Sequence, residues 1–504
     1  MAHGHAQHEL TDDDKKPLGD LAWPIYRTGF AVGAVSLLLA LLVAVFVSSG
    51  GQRLAYAYLV AVLFALALSI GSMFFVLLTH LFRAGWCVLV RRVFEIQAAN
   101  VGVVAVLLVP ILAVVAAESG VLYGWNHPAD ALAEAAHHGD HDASGEAHGE
   151  APRAAGDADF AIVPVADTGQ GRDAEPGTPA APAHAEGDAV HGDDEAPHAF
   201  HASTTSGSLT AGATAYYALQ KRPFLNRAFF IVRVVAFALI WAWIATAFWK
   251  RSLRQDDDRD HHHSRWREKW AAPLTLVAAL TVTFGSFDLL MSLDPGFYST
   301  IFGVYYFAGA FLLALCWGVL TLKWLQGRGY LPSVNVEHYH DLGKLMFAFV
   351  FFWGYIAFSQ YMLIWYANIP EVTYWLEFHG MSTDDSSPMA GSWWKAVAMT
   401  LLFGHLLIPF LGLLSRTEKR RGWTLCFWAG WLIVMCYIDL YWVARPVLSF
   451  YGVAWGPADL LLALLCLVGV MGIYLGGLAR RAANHALVPL HDPRVHESLA
   501  LRQI

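Results

Sequence analysis

Ten long apolar runs dominate this sequence and constrain its fold more than any other feature. A helix crosses the bilayer core, about 30 Å thick, with about 20 apolar residues. Backbone groups in lipid must be hydrogen-bonded within the segment, so helices are the suitable conformation for runs of this length. The sequence therefore predicts an all-α integral membrane protein. Predicted segments 1 to 10 cover residues 27–48, 55–82, 96–116, 225–249, 272–292, 299–324, 341–366, 392–415, 424–445 and 456–480.

Composition supports this class and excludes others. Of 504 residues, 56% are hydrophobic and 15% are charged, and the mean hydropathy is +0.43, which is too apolar for an ordinary soluble enzyme. The 20 Trp and 19 Tyr suit a chain with many water–lipid boundaries. The net charge of −8 argues against a nucleic-acid partner.

Basic residues in the connections predict the orientation. The 250–271 connection is rich in Lys and Arg, whereas the 367–394 connection is acidic. Because positive residues favour the cytoplasmic side, we expect both termini there. The predicted organisation is a cytoplasmic N-terminal tail (1–26), helices 1 to 3 (27–116), an insertion (117–222), helices 4 to 10 (223–480) and a cytoplasmic C-terminal tail (481–504).

The 117–222 insertion differs from the rest of the chain because it is rich in Ala, His, Asp, Glu, Gly and Pro. With few large apolar residues it cannot bury enough surface to offset its ordering entropy, so we expect much of it to be disordered on the outer face. Its histidines suit either transition-metal chelation or a solvated loop, and their irregular spacing favours the loop. They are His127, His137, His138, His141, His148, His184, His191, His198 and His201.

Segment 7 carries many polar groups for a membrane helix. Helical periodicity places Lys344, Tyr355, Ser359, Met362 and Tyr366 on one stripe. Polar side chains in membrane helices usually face a bundle interior, so we expect this stripe to point inward. Asp341 lies near Lys344 at the cytoplasmic end of the segment, and Gln360 and Tyr361 lie deeper on adjoining faces.

Segments 5 and 8 each contain a titratable residue at depth. Asp288 in segment 5 is either a proton-exchanging group or the ion-pair partner of Arg233 in segment 4. His405 in segment 8 precedes Pro409 by four residues, and proline cannot donate a hydrogen bond to the carbonyl of residue 405. The sequence leaves open whether this irregular turn holds water or His405 is simply packed against a neighbouring helix.

Further candidates lie near the helix ends. His80 and Glu95 flank the cytoplasmic connection of segments 2 and 3, where we interpret Arg83, Arg91 and Arg92 as topology anchors. Asp439 lies with Tyr441 and Arg445 at the outer end of segment 9. These groups either form two partial proton pathways or hold helices together. The proton-path candidates are Asp288, His405, Lys344, Asp341, Gln360, Tyr361, Arg233, His80, Glu95 and Asp439.

We predict no redox cofactor, metal or nucleotide bound by this chain. A membrane haem requires two deep histidines at similar depth, and iron–sulfur ligation requires clustered cysteines. Only His405 is clearly deep, and the five cysteines are scattered in or beside apolar segments, where we interpret them as small core residues. No P-loop or dinucleotide fingerprint opens a soluble domain.

Several long runs resemble an NrfD-type integral membrane subunit of bacterial alternative complex III, a membrane quinol:electron-acceptor oxidoreductase. The resemblance covers nearly all ten segments but not the 117–222 insertion. The runs are HLFRAGWCVLVRRVFE (80–95), FDLLMSLDPGFYSTIFGVYYFAGAF (287–311), HDLGKLMFAFVFFWGYIAFSQYMLIWYANIPE (340–371), FGHLLIPFLGLLSR (403–416) and LVPLHDPRVHES (487–498).

The resemblance implies an NrfD-type (polysulfide-reductase-type) fold in the bacterial inner membrane. Two four-helix bundles, segments 2 to 5 and 6 to 9, would carry peripheral helices. Implied partners are a sister NrfD-type membrane subunit, an iron–sulfur subunit, multihaem cytochrome c subunits and a terminal oxidase. The haem c, the iron–sulfur clusters and the quinol would belong to those partners. This chain would be cofactor-free and structural, with a proton-conducting role through buried polar residues.

Two other functions stay open at this stage. The chain could itself bind quinol, with Asp288 and Tyr305 or Tyr306 at the site. It could also be a stand-alone ion or solute transporter, which would require paired discontinuous helices. We identify Pro409 and, more weakly, Pro110 as internal breaks.

Overall fold

A computed structural model of the chain describes residues 9–126, 216–381 and 393–502. Within these ranges, ten helices are long and apolar enough to cross a membrane, which confirms the predicted number and the all-α class. We label them α1 to α10: Gly19–Phe46, Gly50–Leu81, Val88–Ala116, Arg227–Asp258, His262–Leu293, Phe302–Gln326, Val336–Ala367, Trp393–Leu414, Gly422–Ser449 and Pro457–Ala482. The chain is a multi-pass membrane protein.

The helices continue past the apolar runs. The basic 250–271 connection is almost wholly helical, since α4 ends at Asp258 and α5 begins at His262. Side-chain caps fix some helix starts: the Asn226 side chain accepts a hydrogen bond from the Phe229 amide at 2.9 Å, and Asn335 caps α7 in the same way. Apolar length alone therefore underestimated the helices, because capping extends them into polar sequence.

Two four-helix groups form the molecule. In the first, α2 packs against α3 and α5, while α4 lies between α3 and α5. In the second, α6 packs against α7 and α9, and α8 closes the group between them. The groups meet where α2 contacts α6 and α9. α1 and α10 pair outside, on α2, whose apolar span is wholly buried. This arrangement confirms the predicted bundles.

Glycines bring α1 and α10 into backbone contact. Gly29 and Gly33 on α1 face Gly469, Gly472 and Gly476 on α10. A Cβ added to Gly472 would lie 2.7 Å from the Gly29 carbonyl oxygen. In lipid, where apolar helices gain little from leaving the acyl chains, such close packing is a principal attraction between helices.

Two helices are irregular. α3 is interrupted at Asn100 and at Leu108, and α8 contains a π-helical turn at Leu402–Leu407. The sequence prediction of internal prolines was incomplete, because Pro273 lies inside α5 and Pro446 inside α9.

The tails and the ends of the insertion belong to the helical body. The Pro17 and Ala486 backbones form a bridge, and the Leu18 amide donates to the Ala482 carbonyl at 3.2 Å, so the described parts of the two tails lie on one side. Tyr123 and Trp125 are buried against Phe230 of α4. The predictions about the nine insertion histidines concern residues outside the described ranges.

We expect Gly472→Ala to destabilise the α1–α10 pair, because its Cβ would collide with backbone rather than with a movable side chain. Overpacking of this kind costs roughly 1–3 kcal/mol. The measurement is the thermal midpoint of the purified protein in detergent.

Gly430→Ala in α9 is the matched control, because no atom lies within 4 Å of a Cβ added there. Equal midpoints for the two variants would contradict the packing role of Gly472.

Candidate functional site

A buried carboxyl lies in the second bundle. Asp439 of α9 is 4% exposed. Its Oδ1 accepts a hydrogen bond from the Tyr305 hydroxyl of α6, and its Oδ2 accepts one from Trp353 Nε1 of α7 at 3.2 Å. Among the described residues, no Lys or Arg nitrogen lies within 4 Å of this carboxyl, unlike the other buried carboxyls of the ten helices. Asp439 is therefore a buried acid held by neutral donors.

His405 of α8 adjoins this acid through Trp353. The Trp353 and His405 rings stack, with centroids 3.8 Å apart and planes at 28°. His405 Nε2 lies 3.6 Å from the Cys436 sulfur, and no described residue hydrogen-bonds to its buried Nδ1. We call Tyr305, Trp353, His405, Cys436 and Asp439 the acid–aromatic cluster.

The irregular turn predicted around His405 is the π-helical turn of α8. Pro409 supplies no amide donor there, and π-turns inside α-helices are frequent at functional sites. Trp431 Nε1 of α9 donates to the Gly404 carbonyl at 2.7 Å, which satisfies one acceptor in this turn. The turn thus places His405 fully inside the bundle, at 0% exposure.

A small cavity adjoins the cluster. Tyr305, Tyr306, Gly309, Cys436 and Asp439 line it together with apolar residues of α2, α5, α6 and α9. The centre of a water molecule can occupy about 10 Å³ of this cavity, which is close to the volume needed to hold one water. A carboxyl oxygen, a thiol and a phenol could all bond to that water.

Asp288 and Arg233 form an ion pair, which was one of the two alternatives that the sequence left open. Arg233 Nε donates to Asp288 Oδ2 at 2.9 Å, and its Nη2 donates to Oδ1 at 2.7 Å. Both residues are buried, and the guanidinium also lies 3.8 Å from the Phe224 ring centroid. This bidentate geometry favours a structural role over free proton exchange.

Arg91 and Arg92, which we interpreted as topology anchors, also form buried ion pairs that the sequence did not predict. Both are buried in a network at the side of the termini, where Arg91 and Arg92 bind Glu95 at 3.2 and 3.1 Å. Arg92 also binds Asp256 at 2.7 Å. Arg91 binds Asp492 of the C-terminal tail. Each arginine neutralises carboxylates that the fold itself brings inside. We call this the termini-side network: Arg91, Arg92, Glu95, Asp256, Arg267 and Asp492.

His80 lies close to this network. Its Nδ1 is 2.8 Å from the Val76 carbonyl, and its buried Nε2 has no hydrogen-bond partner among the described residues. The ring meets Phe248 edge-on, with centroids 5.5 Å apart. His80 and Glu95 are thus both buried, but no hydrogen bond joins them.

The inward stripe predicted on α7 was also wrong. Tyr355, Met362 and Tyr366 are exposed, by 58%, 42% and 84%. Lys344 is half-exposed and pairs with Asp341 at 2.5 Å. The buried side of α7 instead carries Trp353, Ile356, Gln360 and Ile364, while Tyr361 is partly buried. Aromatic side chains can lie on the buried face or on the exposed face of this helix. Polarity alone therefore predicted the wrong face of α7.

Arg445 does not accompany Asp439. Its Nε donates to Asp459 Oδ1 of α10 at 2.9 Å, and Arg53 of α2 binds the other Asp459 oxygen. Tyr441 accepts a hydrogen bond from Trp455. Asp439 and Arg445, which the sequence places together at the outer end of segment 9, therefore belong to two different polar clusters on α9.

Sequence reasoning missed several residues whose contacts in the structure suit a functional role. Trp353 and Cys436 resemble ordinary core residues until the helices are packed. His379, outside the spans, is stacked on Trp375 at 3.7 Å, and burial lowers its pKa to about 3, which keeps it neutral at physiological pH. Tyr374 donates to Asp294 Oδ2 at 2.7 Å, which ties the 370–378 helix to the α5–α6 connection. No periodicity marks these contacts.

Comparison with known proteins adds no identity. No family model matches the chain, and a search of curated proteins finds no match. Within residues 9–126, 216–381 and 393–502, no three or more His, Cys, Asp or Glu side chains are arranged to hold a metal ion.

We expect Asp288→Asn and Arg233→Gln each to destabilise the protein strongly. Each variant leaves one partner buried without its counter-charge, at a cost of about 3–5 kcal/mol. The double variant should recover much of that loss, because two neutral groups can hydrogen-bond. Thermal midpoints of the four proteins check this, and additive losses in the double variant would contradict the ion pair.

We expect Asp492→Asn to weaken the attachment of the C-terminal tail in a pH-dependent way. Burial raises the pKa of the Asp492 carboxyl, but Arg91 and Arg267 outweigh it and hold the pKa well below 3.8. A depressed pKa contributes stability above 3.8 that is lost as pH falls toward the folded value. The midpoint difference from wild type should be equal at pH 7 and 5, and smaller near pH 3.5.

Asp12→Asn is the control for this experiment, because the Asp12 side chain is 98% exposed. A midpoint difference for Asp492→Asn that stays constant down to pH 3.5 would refute the linkage.

Proposed function

We propose that this chain is a cofactor-free membrane subunit of a respiratory quinol-oxidising complex of the alternative complex III type, with a protonatable site in its second bundle. The complex would lie in the bacterial inner membrane, with both termini of this chain cytoplasmic. A sister NrfD-type subunit, an iron–sulfur subunit and multihaem cytochrome c subunits would carry the redox chemistry and pass electrons to cytochrome c or a terminal oxidase. The sequence resemblance supports this membership, and two four-helix bundles with an outer helix pair agree with it.

The uncharged surroundings of the Asp439 carboxyl support the proton-site part of the proposal. A membrane carboxyl without a counter-charge is a functional candidate by default, because its burial as an anion is costly. Tyr305 and Trp353 donate to it and offset part of that cost when it is ionised. Uptake of a proton removes the remaining cost of burial, because the acid is then neutral. The carboxyl can therefore alternate between two protonation states without rearranging an ion pair.

Neighbouring groups extend the cluster along the bundle. The unpartnered His405 Nδ1 lies behind Trp353, and Gln360 lies two helical turns from Trp353 on the same face of α7. The buried Gln360 Oε1 likewise has no partner among the described residues. Buried polar atoms of this kind are commonly satisfied by water, which would continue a proton route.

The alternatives have less support. For a quinol site at Asp288, the hydroxyl of Tyr305 is engaged by Asp439 and that of Tyr306 by the Leu63 carbonyl at 3.0 Å. For a transporter, the irregular helices α3 and α8 are the second helix of one bundle and the third of the other. They therefore form no matched pair. Pro273 and Pro446 do lie in the fourth helix of each bundle, but both helices are continuous through them, so neither is a break of the kind expected in a repeated transport fold.

Membership in the complex is tested by gentle solubilisation from native membranes. We expect the chain to purify with haem-containing and iron–sulfur partners, visible as c-type haem absorbance that co-elutes with it. Elution as a single colourless polypeptide would refute membership, while leaving the protonation of Asp439 open to test.

We expect Asp439→Asn to lower proton movement per electron while largely preserving quinol oxidation. The amide keeps the size and hydrogen-bonding of the acid but cannot exchange a proton. Proton release and electron transfer would be measured together in proteoliposomes. Tyr305→Phe should give a smaller loss, because it removes one donor to the carboxyl.

Tyr366→Phe is the matched control, since it removes a hydroxyl that is exposed on the surface of α7. An unchanged proton-to-electron ratio in Asp439→Asn would overturn the proton-site proposal.

A further inference from the structure

Arg480 and Arg481 end α10 without a counter-charge. The buried arginines of the described chain, Arg91, Arg92, Arg233, Arg267 and Arg445, each lie within 4 Å of a carboxylate. Arg481 is partly buried, yet no acidic side chain of the described residues pairs with it or with the exposed Arg480. Partly buried Arg251 also lacks a carboxylate, but its guanidinium lies 3.8 Å over the Trp266 ring.

Arg481 lies in a groove between three helices. Its guanidinium carbon is 5.4 Å from the centroid of the Trp249 ring of α4. Its Nη2 is 3.4 Å from the position of a Cβ added at Gly102 of α3. The His485 ring contacts Trp249 edge-on, with centroids 5.7 Å apart, and braces it. The absence of a side chain at Gly102 therefore leaves room for the guanidinium. We call Gly102, Trp249 and Arg481 the arginine groove, and the exposed Arg480 precedes Arg481 in the chain.

The position of this groove indicates which kind of anion it could bind. It lies where α10 leaves its apolar span, and basic residues at such a point are expected at the water–lipid boundary. One turn beyond Gly102 on the same face of α3, Val106 is 69% exposed and offers an apolar surface toward the bilayer centre. A ligand that fits both parts has a charged head and an apolar tail.

We propose that the arginine groove binds the phosphate headgroup of an anionic phospholipid. Guanidinium groups donate paired N–H bonds that match phosphate oxygens, and two adjacent arginines supply the charge that the headgroup needs. Basic pockets between membrane helices at this level are typical lipid headgroup sites. The acyl chains would lie along Val106 and the outer face of α3. This site is independent of the proton-site proposal, because it involves the first bundle and α10 only.

Lipid-dependent thermal stabilisation tests the site. The full chain, with any subunits that co-purify, is transferred to phosphatidylcholine nanodiscs, and increasing fractions of phosphatidylglycerol are included. We expect a saturable rise of the thermal midpoint in wild type. The variant R480Q/R481Q should require at least about tenfold more phosphatidylglycerol for the same rise, since two charge-assisted contacts are lost.

The variant R265Q/K269Q is the matched control. It removes two positive charges from exposed positions of α5 that have no carboxylate partner among the described residues. It should respond to phosphatidylglycerol as wild type does. An equal loss in this control, or an unchanged response of R480Q/R481Q, would overturn the proposal.

Two further arms keep the test decisive. If R480Q/R481Q fails to fold, R480K/R481K retains the charge but not the paired donors, and it should lose part of the response. Its full retention of the wild-type response would refute recognition by the guanidinium fork. Inorganic phosphate, added to the protein in phosphatidylcholine nanodiscs, should give no comparable stabilisation. Equal stabilisation by phosphate would identify a soluble ligand instead of a lipid.

Discussion

The cost of burying charge away from water organises this protein. Each buried arginine of the described chain meets a carboxylate, and several of these pairs join parts of the chain that are more than 150 residues apart in sequence. Arg91 attaches the C-terminal tail to α3, and Arg445 joins α9 to α10. Breaking such a pair leaves a bare charge in a low-dielectric interior, so the pairs fix which helices are neighbours. They act where apolar contact alone is a weak guide, because lipid is as apolar as the helices.

The two bundles use this constraint differently. The first bundle carries its charges as closed networks, with Glu95 of α3 surrounded by Arg91, Arg92 and Arg267. The second bundle contains Asp439, whose partners are a phenol and an indole. A closed network resists change in protonation, since every charge is matched. A lone acid beside a water-sized cavity can change its charge at lower cost. This contrast is the physical basis for placing the protonatable site in the second bundle.

Close backbone packing holds α1 and α10 together, where no ion pair between their described residues does so. The glycines of α1 and α10 let two apolar helices touch, although no ion pair joins α1 to α10 among the described residues. The pair lies outside both bundles, on α2. Its far end carries Arg480 and Arg481, so the helix that packs by small residues also presents the arginine groove. Packing and charge are thus separated along one helix, with glycine in the apolar part and arginine at the boundary.

The candidate site was only partly predictable, as single residues show. The pairing of Arg233 with Asp288 was one of two alternatives that their similar depth allowed, and the irregular turn at His405 followed from Pro409. The stripe on α7 was assigned to the wrong face, because Tyr and Met are amphipathic enough to lie on either side of a membrane helix. Trp353 and Cys436 gave no signal, since their importance comes from the ring and the acid that other helices place beside them.

The sequence by itself determined the class of this protein: ten apolar runs, each long enough to cross a bilayer, can satisfy their backbone only as helices. It also determined the approximate depth of each polar residue, since helical rise converts position into distance. Only the tertiary structure decided which polar groups meet. Hydrophobicity fixes where along the membrane normal a residue lies, but its neighbours depend on how each helix is rotated, and that rotation follows from ion pairs and glycine contacts between residues hundreds of positions apart.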